Sequence, residues 1–276
     1  MLTLLLAGVS LPVRHASAAG QSAASENGTA RKTHGEVAET VARAAALYGQ
    51  FKSSEALVEL EKALALAPGD PEVLVWTART YVDLGDMIPE AGDDWQKRRL
   101  DKYQAAERYA RQAVKADPKS TWPHFFLAVA LGKAAEFSGI QQQIALAREI
   151  RKVTDTAIAL DPDNGFAYHV LGVWHRRMAE INQTERLLAQ LLLLGSVPAG
   201  RLDDSVRHLK KALEHNPDVI NHHLELARTY RALDKPELAR RHLKRVAELP
   251  IRFSDDEVHK WKALQLLQEI NRNGSG

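Results

Sequence analysis

Cysteine is absent from the 276 residues. That single gap removes disulfides, zinc–thiolate sites, thiol catalysis and a lipidated cysteine. Net charge is also scarce: 37 basic residues face 35 acidic ones, leaving a formal +2. The total therefore points to no nucleic-acid partner, although basic residues can still gather on one surface. No Gly-x-Ser-x-Gly elbow, phosphate-binding glycine loop, nucleotide fingerprint or His-Glu-x-x-His motif occurs, so nothing in the chain points to an enzyme. No apolar run reaches the length needed to span a bilayer. What is present is a 45% hydrophobic content, enough to fill the core of one large domain or two ordinary ones.

The N-terminus opens with a short apolar run, Leu2 to Val13, followed by Arg14, His15 and the small residues Ala16 to Gly20. Ala16-x-Ala18 is the small-x-small pattern a signal peptidase accepts, so the expectation is a signal peptide over 1–18, cut before Ala19. An uncleaved anchor and an incidental apolar tail are the alternatives. Residues 19–34 are rich in small and polar side chains without apolar period and read as a linker. A helical domain over 35–276 and a periplasmic or secreted placement follow.

The body of the chain repeats. Ala63…Pro68 recurs with the same offset as Ala113…Pro118, Ala157…Pro162 and Ala212…Pro217, each pair closing an amphipathic segment. Proline disfavours helical geometry in the residue before it, so each copy ends one helix and starts a turn. Around the pairs fall small and large apolar positions at helical spacing: Leu74, Ala78 and Tyr81; Leu127, Ala128 and Leu131; Leu171, Gly172 and Trp174; Leu226, Ala227 and Tyr230. Alanine and glycine let helices cross closely, while Leu and Tyr fill the space between pairs.

These residues resemble the tetratricopeptide repeat over roughly Val37 to Pro250. The resemblance implies an all-α, right-handed solenoid of about five helix pairs with a C-terminal capping helix. Ser254-Asp255-Asp256-Glu257 supplies a capping signal for that last helix, which is expected to turn a polar face outward. Only the last repeat keeps the usual period of about 34 residues. Extra helical signals over 95–104, 139–150 and 180–194 read as insertions. Phe137-Ser138-Gly139-Ile140, the long helix to Asp161-Pro162, Tyr168-x-x-Leu171-Gly172-Val173-Trp174 and the Leu-rich insert Leu187 to Pro198 resemble the regulator of microtubule dynamics family from about Trp122 onward. Its eukaryotic members are tied to microtubules and organelle contacts, a role that an exported chain would not share.

In a tetratricopeptide superhelix the first helix of each pair lines the concave face. That register places Arg79 on the groove with Glu72, Val75 and Asp83. Trp122, Phe125 and Lys133 come from the next repeat, Phe166, His169, Val173, Arg176 and Arg177 from the one after, and Leu224, Arg228 and Arg231 from the last. An apolar floor with an arginine-rich rim favours an acidic peptide or protein, since guanidinium groups pair planar anions. The alternative is a basic helix face that is merely solvated. The carboxylate clamp known from the repeat family is not reproduced, because Val75, Phe125 and His169 hold the corresponding positions.

The run Leu187 to Leu194 is apolar on nearly every face and is expected to be covered, either by packing on the solenoid or as one wall of a pocket for a lipid-like ligand. No cofactor is implied, and no metal site. Adjacent His222 and His223 point about 100° apart, His208 and His215 lie two turns apart, and Asp161 to Gly165 is explained as a turn between repeats. The functional expectation is an exported, non-enzymatic interaction scaffold. A lipid-like ligand module is the alternative, and a microtubule-associated regulator the reading if the chain is not exported.

Overall fold

The structure, a computed structural model, describes residues 26–193 and 197–273. Among the described residues there are twelve helices and no strand. Helix α1 (Glu26–Gly49) packs on α2 (Ser53–Leu66), α3 (Pro71–Asp86) on α4 (Trp95–Ala116), and α5 (Thr121–Ala135) on α6 (Ile140–Leu160). Helix α7 (Gly165–Glu180) pairs with α9 (Leu202–His215), with α8 (Gln183–Leu193) inserted between them. Helices α10 (Ile220–Ala232) and α11 (Pro236–Glu248) form the fifth pair, and α12 (Asp256–Asn273) closes the array. This is the all-α tetratricopeptide-like solenoid that the repeated pairs require.

The Ala…Pro pairs act as the sequence demands. The carbonyls of Ala63, Ala113, Ala157 and Ala212 each accept the final helical N–H, from Ala67, Asp117, Asp161 and Asn216. Each donor immediately precedes a proline, and its backbone has left helical geometry, with φ between −143° and −135° and ψ between 71° and 94°. The four alanines are fully buried, where a larger side chain would push neighbouring helices apart. At the start of α7, Asn164 accepts from the Ala167 N–H and donates through Nδ2 to Thr121 Oγ1. One cap thus joins two repeats.

Two of the three expected insertions are extensions: residues 95–104 and 139–150 are the first turns of α4 and α6. Only the third forms a separate helix. Arg186 fastens α8 by donating to the carbonyls of Ile181, Met178 and Pro198. Ala189 packs against Ile144 and Val197, but Leu187 and Leu191 are 58% and 71% exposed. The expectation that the Leu-rich run is covered therefore fails at those two positions, because residues two places from Ala189 point about 200° away from it. Leu194 lies outside the described residues.

Helix α12 also departs from expectation. Ser254 does not cap it but donates to Asp83, and Asp256 Oδ2 instead accepts from the Arg252 and Phe253 N–H groups. Its outer side is not polar throughout, since Val258, Trp261 and Leu264 are exposed. At the other end, α1 reaches back to Glu26, into the stretch expected as linker. The signal segment over 1–18 lies outside the described residues.

Helices α7 and α9 approach closely at Gly172, where an added Cβ would lie 2.6 Å from Leu209 Cγ. Gly172→Val is expected to destabilise the fold by about 1–3 kcal/mol, read as a lower midpoint in thermal or urea unfolding. An unchanged midpoint would contradict this packing.

Candidate partner-binding groove

Helices α3, α5, α7 and α10 do supply the expected inner face, but most of it is closed to solvent. Arg79, Lys133, His169 and Arg176 are between 1% and 4% exposed, and Phe125, Val173 and Leu224 are buried. Phe166, Arg177 and Arg228 are half-buried, as is Trp122, and only Arg231 is exposed. The cause is the chain's own C-terminal segment. Ser254 donates to Asp83 Oδ2 at 3.1 Å across 171 residues, while Asp255, His259 and Lys262 come within electrostatic reach of Lys133. The segment leading into α12 thus lies across the concave side.

Closure forces the groove cations to find anions inside the protein. Lys133 donates to both oxygens of Asp86 at 2.6 and 2.7 Å, and Tyr103 Oη donates to the same carboxylate at 2.7 Å. Burial disfavours the lysine charge, yet Asp86, Glu136 and Asp255 together raise it above the ordinary lysine value. Arg176 donates to Glu225 at 2.5 Å and to Glu180 at 2.8 Å, and Arg228 also donates to Glu225. Burial opposes ionisation of Glu225, but Arg176, Arg228 and Arg177 hold its carboxyl far below the usual range. Arg79 lies over the Tyr48 ring at 3.9 Å and near Trp76 at 4.9 Å, while Arg231 pairs with Glu269 of α12. Of the arginine rim expected to receive an anionic partner, Arg176, Arg228 and Arg231 pair with carboxylates of the protein itself.

Two openings flank the covered face. A cleft of about 880 Å³ runs between α1, the start of α3 and the start of α5, with Val37, Val41, Val75, Trp76 and Trp122 on its floor. Its rim carries Asp70, Glu72, Asp117 and Asp161 against Lys119 and His34. A second cavity of about 360 Å³ lies between α6, α7 and α8, lined by Ile140, Ile144, Met178, Ile181, Ala189 and Val197, with Arg177, Glu180 and Glu185 beside them. Of the expected groove residues, Glu72, Val75 and Trp122 line the first and Arg177 the second.

The histidines separate as their spacing requires. His222 turns to His169, Nδ1 to Nδ1 at 3.0 Å, whereas His223 meets His242 at 2.9 Å. His208 and His215 both stack on Tyr168. The sequence reading missed Asp86, Tyr103 and Glu225 as groove residues, although Glu225 lies one helical turn before the expected Arg228. It also missed the group Asp255, Asp256 and His259, whose acidic residues looked like a helix cap.

The sequence profile described as Regulator of microtubule dynamics protein 1-3 matches residues 40–271. The chain belongs to that family. It is 26% identical over 200 residues to Regulator of microtubule dynamics protein 1 of Bos taurus, a match covering 72% of this chain and 62% of that protein. It is 28% identical over 207 residues to Regulator of microtubule dynamics protein 3 of Mus musculus, covering 74% of this chain and 43% of the relative. The matches thus span less than two thirds of either relative. Among solved structures, a thermophilic tetratricopeptide protein of Thermus thermophilus superposes with a TM-score of 0.59 at 20% identity, covering 83% of this chain and 99% of that one. That likeness shows the solenoid fold alone.

Family membership corrects the periplasmic or secreted placement. The relatives are regulators of microtubule dynamics from cattle and mouse, and microtubules are polymers of neither compartment. No helix of the described residues is long and apolar enough to cross a membrane.

Burial lowers His169 to about 4 and puts His222 well below the ordinary histidine value. The unfolded chain protonates both near 6.5 and so binds more protons than the folded one between about pH 4 and 6.5. Their contribution is therefore present above that window and lost on acidification, by about 3 kcal/mol for His169. Asp83, raised by burial to about 6, and Glu136, raised by burial to about 8, act in the opposite sense, so the histidine part is read by difference. His169→Gln is expected to lose less stability than the parent between pH 7 and 4.5, measured by urea unfolding.

Proposed function

We propose that the chain is a non-enzymatic interaction scaffold of the regulator of microtubule dynamics family that holds a partner segment in the cleft between α1, α3 and α5. The cleft itself carries this reading: it is the larger opening left once the C-terminal segment covers the inner face. Its floor is apolar and aromatic, and its rim bears four carboxylates. Burial and the neighbouring Asp70 raise the Glu72 carboxyl above its ordinary value, so a nearby cation would relieve it. The fitting partner is a peptide or protein segment with apolar anchors flanked by Lys or Arg, rather than the acidic segment expected from the sequence. The role in microtubule dynamics carried by the relatives' names comes to this chain as part of the same proposal.

Trp122 is the natural anchor, half-buried against Phe125 and Phe126. Trp122→Ala is expected to cost about 2 kcal/mol of partner affinity, roughly 30-fold, and Glu72→Lys to weaken binding further at low salt. Pull-down from eukaryotic extract with quantitative comparison of the two variants checks this. Identical partner lists for parent and variants would sink it.

The cavity beside α8 supports a second reading, a ligand with an apolar tail and an anionic group. Apolar side chains from three helices form its wall, and Arg177 Nε, buried there, has no hydrogen-bond partner. Burial and neighbouring Arg176 disfavour the Arg177 charge, so an anion beside it would offset that cost. Native mass spectrometry of gently purified protein should reveal a co-purifying ligand that is lost in Arg177→Gln. A consistently empty protein would rule the ligand out.

A further inference from the structure

Three ligand atoms converge where α12 begins. Asp255, Asp256 and His259 each place one ligand atom within 4.8 Å of the others, and Asp255 Oδ1, Asp256 Oδ1 and His259 Nδ1 have no hydrogen-bond partner. Asp256 and His259 are 1% and 2% exposed, so solvent does not satisfy them. Polar atoms buried in this way ordinarily find partners. Asp255 and His259 sit one helical turn apart, and their Oδ1 and Nδ1 atoms are 3.7 Å from each other. That is too long for a hydrogen bond, but it suits two ligands that each reach about 2.0–2.2 Å to one ion.

The surroundings favour a cation over a simple ion pair. Asp256 presents one oxygen to the group, while its other oxygen accepts from the N–H groups of Arg252 and Phe253 at 2.8 and 2.9 Å. Metal-binding carboxylates are commonly oriented by such outer contacts. Around the group, the carboxyls of Asp83, Asp86, Glu136, Asp255 and Asp256 meet the cations of Arg79, Lys133 and Lys262. Arg228, which also faces His259, is taken by Glu225.

We propose that Asp255, Asp256 and His259 form a binding site for a zinc-class divalent cation, which orders the start of α12 where the C-terminal segment lies across the concave face. One imidazole and two carboxylates select a borderline ion over magnesium, which prefers an all-oxygen octahedral shell. Water or a further carboxylate completes the coordination. All three ligands belong to the C-terminal segment, whose Ser254 donates to Asp83 of α3, so the ion would stiffen the stretch that lies across the inner face of α3, α5, α7 and α10. It is independent of the cleft reading, because no cleft residue takes part.

The test uses the full chain, stripped with chelator and titrated with Co²⁺ alone. Binding of one equivalent is expected, with the visible absorption of a four-coordinate site and displacement by Zn²⁺. His259→Gln and Asp255→Asn should each abolish it, while His208→Gln should not, with far-UV circular dichroism confirming that each variant is folded. Hydrogen exchange over residues 251–262 should slow when the ion is added. Failure of the parent chain to take up Co²⁺ in saturable fashion would overturn the proposal, since protons alone would then neutralise the acids. Binding that survives both substitutions would overturn it equally.

Discussion

The buried carboxylate of Glu225 sets the terms for the concave face. It belongs to α10 and receives Arg176 from α7 and Arg228 from its own helix. Removing one member of such a group leaves an uncompensated buried charge, which costs about 3–5 kcal/mol. The pairing of Lys133 with Asp86 ties α5 to α3 in the same way. A solenoid of this kind needs only apolar packing between neighbouring repeats. Charges on its inner side are harmless while water reaches them and demanding once it does not. Covering the groove with residues 252–262 therefore required that Lys133, Arg176 and Arg228 be met by anions, and Arg79 by aromatic rings, of the protein itself.

That requirement explains where binding surface survives. The segment leading into α12 reaches Asp83 on α3 but not the starts of α1, α3 and α5, whose apolar side chains and acidic rim stay open. At the opposite edge, α8 stands off the solenoid on Ala189 and leaves a cavity against α6 and α7. Both openings lie beside the covered face. An aromatic floor under an acidic rim and an apolar pocket beside a buried arginine suit different ligands, so the two readings do not compete for the same atoms.

The repeat was legible because its signal is local. A proline five residues after a buried alanine fixes a helix end whatever the rest of the chain does, and the structure places the carbonyls of Ala63, Ala113, Ala157 and Ala212 on the last bond of their helices. The inward register of Lys133, His169 and Arg176 was legible for the same reason, since helical spacing decides which way a side chain faces. Their burial was not. It depends on Ser254 meeting Asp83 across 171 residues, and no periodicity encodes a contact of that separation. Asp255, Asp256 and His259 were hidden by a rival local pattern, as Ser-Asp-Asp-Glu is also what a helix cap looks like.

Closure also changes how the repeats depend on one another. In an open array each pair touches only its neighbours, stability is close to a sum of adjacent terms, and the ends fray first. Here the last helix is bound to the inner face of the second pair through Ser254 and Asp83, to α10 through Glu269 and Arg231, and to α11 by packing. Loosening α12 would return water to Lys133 and Asp86 and unburden the groove charges, while loosening α3 would release the C-terminal segment. The C-terminal segment and the second pair are thus coupled through the charged face between them, so the repeats do not depend on their nearest neighbours alone.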